Sequence, residues 1–248
     1  MKRILVVLTA AIFVAPVHAQ RWQWPDTPKN LTVLPKTTTG RELQRTMQSF
    51  TGGLGVRCIL CHVGEEGKDL GDYDFASDAK PEKNTARTMI KMMNAINAEY
   101  LAGLRKDKTA SLEVTCMTCH RGNTKPIMLE DKLKSTFDVA GIDSTIKQYR
   151  ALREQYYGGF AYNFKEGTLL RLADKILADS MQTPAAIEVV KLNIEMYPAF
   201  AFSYVHLGNI YERQGNIPAA IENYQEAANL DPKDERIKRI LERLQGKK

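Results

Sequence analysis

The chain is poor in the residues that build most catalytic and metal centres: its 248 residues include four cysteines, four histidines and two tryptophans. It offers no serine–histidine–acid set and no glycine-rich phosphate loop, which excludes the usual hydrolase and nucleotide-binding signatures. Long apolar runs are missing too. The longest, from Ile4 to Ala15, is too short to span a bilayer, so no transmembrane segment is expected in the mature chain. The formal charge of +6 is spread along the sequence without a basic block, and nucleic acid is not an expected partner. Acidic side chains do gather at Asp69, Asp72 and Asp74, but without the glycine and glutamate placement of a calcium loop, so they read as a solvated turn.

Lys2 and Arg3, the apolar run and Val17-His18-Ala19 together have the form of a secretion signal. They predict a signal peptide over 1–19, cleavage after Ala19, a mature chain starting at Gln20 and a periplasmic destination. His18 leaves with the peptide.

All four cysteines and two of the histidines fall in two pentapeptides, Cys58-Ile59-Leu60-Cys61-His62 and Cys116-Met117-Thr118-Cys119-His120. Both spell C-x-x-C-H, the attachment sequence of a c-type haem. In a helical turn, cysteines at i and i+3 share one side, where two thiols can add to the two vinyl groups of one porphyrin. The next histidine then reaches under the macrocycle to the iron. Cys58, Cys61, Cys116 and Cys119 are therefore the expected anchors of two covalently bound haem c groups, and His62 and His120 the expected iron ligands. Three other readings compete. A thioredoxin-like pair needs neither the histidine nor a second copy, a four-cysteine zinc site leaves both histidines idle, and two disulfides do not predict a repeated pentapeptide. Only the haem reading uses all six residues.

Around these motifs the sequence predicts helices. Residues 20–39, with Trp22, Trp24, Pro25, Pro28 and Pro35, read as an extended arm whose tryptophans either cover a haem edge or, as aromatics more often do, pin the arm to the core. A helix is expected over about 40–51, with Leu43, Met47 and Phe50 on one face and Gly52-Gly53 as its stop. Met47 lies fifteen residues before His62 on a helix that returns antiparallel to the haem turn, where its thioether could meet the opposite face of the iron. A second helix is expected over about 84–104, striped by Met89, Met93, Ile96 and Tyr100 with Met92 beside the stripe. Its methionines are a source for the sixth ligand of the second iron. A charged loop at 105–108 leads to the second pentapeptide.

From Met47 to Pro126 the chain resembles the cytochrome subunit of photosynthetic reaction centres. The likeness rests on Leu-Gly-Val-Arg-Cys-Ile-Leu-Cys-His from Leu54, Ala-Arg-Thr-Met-Ile-Lys-Met from Ala86, and Val-Thr-Cys-Met-Thr-Cys-His-Arg-Gly from Val114. It implies a helix, a turn and a haem-binding helix for each haem, with a methionine of the preceding helix as the usual sixth ligand. On that pattern Met47 matches the ligand of the first haem and Met92, with Met89 as the alternative, that of the second. The family carries four haem motifs and this chain two, so it resembles half of the arrangement and a photosynthetic role is not carried over. One haem of the family takes a histidine from another unit; here that histidine would have to be His206, with the C-terminal region folded back.

Beyond the second motif a helix is expected over 134–157, with Ile142, Ile146 and Tyr149 in phase. The rest repeats. Pro184-Ala185-Ala186-Ile187-Glu188 recurs as Pro218-Ala219-Ala220-Ile221-Glu222, and Tyr197-Pro198 as Asp231-Pro232, each thirty-four residues on, the period of tetratricopeptide helix pairs. Ile237, Ile240, Leu241 and Leu244 add a closing amphipathic helix.

The sequence thus predicts a mainly α protein: a signal peptide (1–19), an extended arm (20–39), a dihaem cytochrome c domain (40–133), a connecting helix (134–162) and tetratricopeptide-like repeats with a cap (163–248). Two repeats fall short of the three that usually stand alone, so helix 142–157 should pack onto them or the stack should dock on the haem domain. The expected function is single-electron transfer between redox partner proteins, with the repeats docking one of them. The alternative is a dihaem enzyme such as a peroxidase, which needs one open iron; a scaffold with structural haems is a third. Because the tail offers no ligand, it should be removable without disturbing either haem.

Overall fold

The computed structural model describes residues 22–104, 112–180 and 182–246. The signal peptide at 1–19, the start at Gln20 and the charged loop 105–108 lie outside them. The described residues are mainly α-helical, ending in tetratricopeptide-like repeats, with no strand among them and one isolated bridge between Val63 and Asp74. The backbone groups into two compact units, Met1–Gln48 with Arg57–Tyr100 and Ser49–Val56 with Leu101–Lys248. This division does not follow the linear order of the predicted domains, because it places the second pentapeptide with the repeats.

In the first unit the arm lies along the start of α1 (Gly40–Leu54), where a Cβ on Gly40 would stand 2.6 Å from the Pro25 carbonyl oxygen. A reciprocal cap begins this helix: Glu42 N–H donates to Thr39 Oγ1 (3.3 Å) and Thr39 N–H to Glu42 Oε2 (2.8 Å). The expected stop at Gly52-Gly53 is not where the helix ends. Both glycines are helical, and the reversal falls to Gly55 at φ +66, a conformation that glycine adopts at little cost. The second helix, α2 (Pro81–Ala95), opens with proline in its first turn, where the missing N–H costs nothing. It widens into a π-helical turn at Ile96–Tyr100 instead of running on to 104. Arg87, Ile90 and Met93 share its half-buried face, whereas Met89, Met92 and Tyr100 are exposed.

The second unit starts from the short helix α3 (Cys116–His120) and then α4 (Leu129–Tyr156), which begins earlier than expected and is broken at Gly141 (φ 76, ψ −174). Thr136 Oγ1 donates to Gln148 Oε1 over 2.7 Å. In an unbroken helix these residues would stand about 18 Å apart, so the arms 129–140 and 142–156 fold back as a hairpin. Two more pairs follow, α5 (Gly167–Ser180) with α6 (Thr183–Met196) and α7 (Ala201–Arg213) with α8 (Ile217–Leu230), and α9 (Glu235–Leu244) closes the series.

One apolar core joins α4 to α7 through Leu133, Phe137 and Tyr149 with Leu172, Ile176, Val190 and Leu207. A smaller cluster of Ala220, Tyr224, Ala227 and Ile237 holds α8 and α9. Gly208 lets the Tyr224 ring lie against α7, and the ring's hydroxyl donates to Asn209 Oδ1 at 2.7 Å. The α4 hairpin thus serves as the third helix pair that two repeats lack.

Candidate functional site

The first pentapeptide closes as a tight turn: the Cys61 N–H (3.2 Å) and the His62 N–H (3.0 Å) both donate to the Cys58 carbonyl. Cys58 and Cys61 are half-buried free thiols, and burial pushes the Cys61 thiol up. In the second motif burial likewise raises Cys116. Redox-active C-x-x-C pairs have the opposite shift, toward the thiolate. Burial thus favours the protonated form of Cys61 and Cys116.

His62 packs against Phe75 with ring centroids 5.0 Å apart, and Phe75 touches Trp22 (5.1 Å) and Tyr73 (5.6 Å). Trp22 of the arm therefore belongs to the aromatic cluster at the first motif. Burial holds the His62 imidazole below the usual histidine range, aided by the charge of Lys83. Its Nδ1 is buried without a hydrogen-bond partner; the Phe75 backbone opposes the shift but is not in bonding geometry with Nδ1. A neutral imidazole is the metal-ligating form. Lys83 Nζ in turn donates to the carbonyls of Phe75 (3.0 Å), Ala76 (3.1 Å) and Ser77 (2.7 Å), which fixes the loop that carries the aromatic face.

The second pentapeptide is α3 itself, opened by a reciprocal cap between Thr115 and Thr118 and closed by Arg121 (φ 52) and Gly122 (φ 84), both left-handed. It lies against the backbone at 53–55. Gly122 N–H donates to the Gly53 carbonyl at 2.9 Å. A Cβ on Gly53 would stand 2.8 Å from Cys116 Cβ, and one on Gly55 2.0 Å from the Gly122 oxygen. His120 Nδ1 lies 2.9 Å from the Asn123 carbonyl oxygen. A carbonyl only accepts, so Nδ1 carries a proton, and in the neutral ring it is Nε2 that offers the lone pair. The side chain of Asn123 donates to the Ala161 carbonyl at 3.1 Å. Neither Asn123 nor Gly55 was singled out as a site residue from the sequence, although Gly55 stands in the Leu-Gly-Val-Arg string of the family resemblance.

The expected sixth ligands fall in the first unit. Met47 shares the half-buried face of α1 with Leu43 and Phe50, while Met89 is 37% and Met92 49% exposed. Among the described residues between Leu31 and Leu129 no apolar side chain is buried. Half-buried and exposed thioether and alkyl surface, paired thiols on one turn and an imidazole held toward its neutral form are the donor set and lining that a haem, an apolar macrocycle with a soft-ligand preference, requires. The residues fit the group. By contrast, no three His, Cys, Asp or Glu side chains among the described residues converge on a metal-sized site.

His206 belongs to the repeats. Its Nε2 lies 3.2 Å from Asp174 Oδ1, without hydrogen-bond geometry, and burial lowers its pKa while Asp174 opposes. The tail is also less separable than expected, since α4 draws its buried contacts from α5 and α6 and Asn123 is tied to Ala161.

The family model for the photosynthetic reaction centre cytochrome c subunit matches residues 13–188, and that for the tetratricopeptide repeat matches 201–234, the span of α7 and α8. A photosynthetic reaction center cytochrome c subunit of Rubrivivax gelatinosus is 30% identical over 110 residues, 39% of this chain and 28% of the relative. Cytochrome c-554 of Chloroflexus aurantiacus is 34% identical over 113 residues, 45% of this chain and 24% of the relative. A photosynthetic reaction center cytochrome c subunit of Thermochromatium tepidum is 33% identical over 100 residues, 40% of this chain and 21% of the relative. The matched stretches thus cover only 21% to 28% of these relatives' own lengths.

Proposed function

The chain belongs to the photosynthetic reaction centre cytochrome c subunit family, a c-type cytochrome with covalently bound haem c, and from that premise we propose that it is an exported dihaem electron carrier whose repeats dock a protein partner. Bound haem iron takes up and releases one electron. Cys58 and Cys61 would hold one group and Cys116 and Cys119 the other, with His62 and His120 as iron ligands and Met47 and Met92 as the proposed further ligands. A methionine thioether added to the histidine ligand would raise the iron's potential, which suits transfer between proteins.

The observation that carries the reading is the second motif: a capped C-x-x-C-H turn whose histidine is held at Nδ1 by a backbone carbonyl, so that Nε2 is presented as a ligand in one fixed orientation. Periplasmic location rests on the leader form of 1–19 and on the need to attach thioether-linked haem outside the cytoplasm. Docking rests on the three stacked helix pairs, an architecture that offers an extended surface to a partner. Among the described residues no helix is long and apolar enough to cross a membrane.

Mass spectrometry of protein matured in a host with haem-attachment machinery tests the stoichiometry. Two haem increments on a chain starting at Gln20 are expected; one increment or none overturns the dihaem reading.

A further inference from the structure

We propose that Asn123 is a positioning residue that ties the proximal histidine of the second haem to the helical-repeat core, so that the packing of the repeats sets that haem's potential. The inference rests on the haem reading of His120 given above. Asn123 acts twice. Its carbonyl accepts the His120 Nδ1–H at 2.9 Å, and its side-chain amide donates to the carbonyl of Ala161, thirty-eight positions on, at 3.1 Å. Arg121 and Gly122, both left-handed, bring the chain back so that Asn123 can face the ring it follows, and the Asn123 N–H closes the loop on the His120 carbonyl at 2.8 Å.

Ala161 does not float. Tyr162 and Phe164 are buried in the core shared by α4 to α7; the Tyr162 ring packs on Tyr156 at 5.4 Å, and Phe164 on Tyr149 at 5.9 Å. A two-bond path therefore runs from the imidazole to the repeat core. The Nδ1–H bond gives a ligating imidazole more electron-donating character, which favours the oxidised iron; a carbonyl held rigidly keeps that bond strong. Releasing the Asn123 side chain leaves the carbonyl in place chemically but frees it to drift, weakening the bond and raising the potential of that haem alone.

The test uses the mature full-length holoprotein with Asn123→Ala and Asn123→Leu, the second being an uncharged near-isostere that cannot donate to Ala161. Two-component redox titration is expected to show one component shifted upward in both variants, by about a 2- to 10-fold change in its reduced-to-oxidised ratio at fixed potential, the range spanned by the net worth of one hydrogen bond. Ferric NMR, in which the shifted proximal-histidine resonances belong to one haem at a time, should assign that component to His120. Asn123→Gln, which keeps an amide donor, should fall between wild type and Asn123→Ala. Both potentials unchanged, or both moved together with a loss of thermal stability, overturn the inference while the haem count stands. Absence of the second haem increment from wild-type protein overturns the reading beneath it instead.

Discussion

Three neighbouring glycines test whether the second haem motif is seated on the end of α1 by backbone contact. Gly55 has φ +66, where alanine costs about 1–2 kcal/mol more than glycine. Its added Cβ would stand 2.0 Å from the Gly122 oxygen, so that backbone must retreat by more than an ångström to reach ordinary contact. The retreat pulls Gly122 N–H from the Gly53 carbonyl, now 2.9 Å away, and that hydrogen bond is worth about 0.5–1.5 kcal/mol. Gly55→Ala should therefore destabilise the second unit by about 1.5–3.5 kcal/mol and lower haem occupancy at Cys116 and Cys119. Gly53→Ala, whose Cβ would meet Cys116 Cβ at 2.8 Å, should act in the same direction. Gly52 is helical with nothing near its Cβ position, so Gly52→Ala should stabilise α1 by up to about 1 kcal/mol. Denaturant unfolding followed by circular dichroism, with haem mass counted in parallel, reads all three. If Gly55→Ala unfolds at the wild-type midpoint with both haems present, or if Gly52→Ala is the more damaging, the seating argument fails.

Met47→Ala and Met92→Ala should each open one iron to carbon monoxide and abolish that haem's share of the sulfur absorption band; Met89→Ala opening the second iron instead would move the ligand by a turn, and silence of both Met89→Ala and Met92→Ala would favour the enzymatic alternative. Removing 163–248 should strip Leu133, Phe137 and Tyr149 of their partners in the shared core, and the truncated protein is expected to lose helicity in α4 and alter the spectrum of the second haem, whereas retention of both haem spectra would show that the core is dispensable to the site. Asp78 is held well below the usual carboxylate range by Arg87 (2.9 Å), Asn30 (2.8 Å) and Lys83 (3.1 Å). A depressed folded pKa gives stability that is full above the unfolded carboxylate value and fades as pH falls through and below it, so acid should release the arm below about pH 4, and Asp78→Asn should flatten that acid limb in tryptophan fluorescence; an unchanged limb would show that the clamp does not hold the arm.

The sequence by itself determined the chemistry and the periodicity. Two pentapeptides named the cofactor because only a thioether-linked haem needs two thiols and a histidine at that spacing, and the thirty-four-residue repeat named the helix pairs because local pattern suffices to specify an amphipathic hairpin. Thr39 with Glu42 and Pro81 are local start signals of the same kind, legible without any tertiary contact. What only the tertiary structure decided were matters of close approach between distant segments. Gly52-Gly53 looks like a helix stop, since glycine is the weakest ordinary helix former, yet Gly53 remains helical beside a second segment that leaves no room for a Cβ. Gly141 breaks a helix that its neighbours would continue, and so creates the third pair. Asn123 carries no motif at all: its role exists only because Ala161, far along the chain, presents a carbonyl to it. Side-chain type fixes what a residue can do, and the partner that the fold supplies fixes which of those things it does.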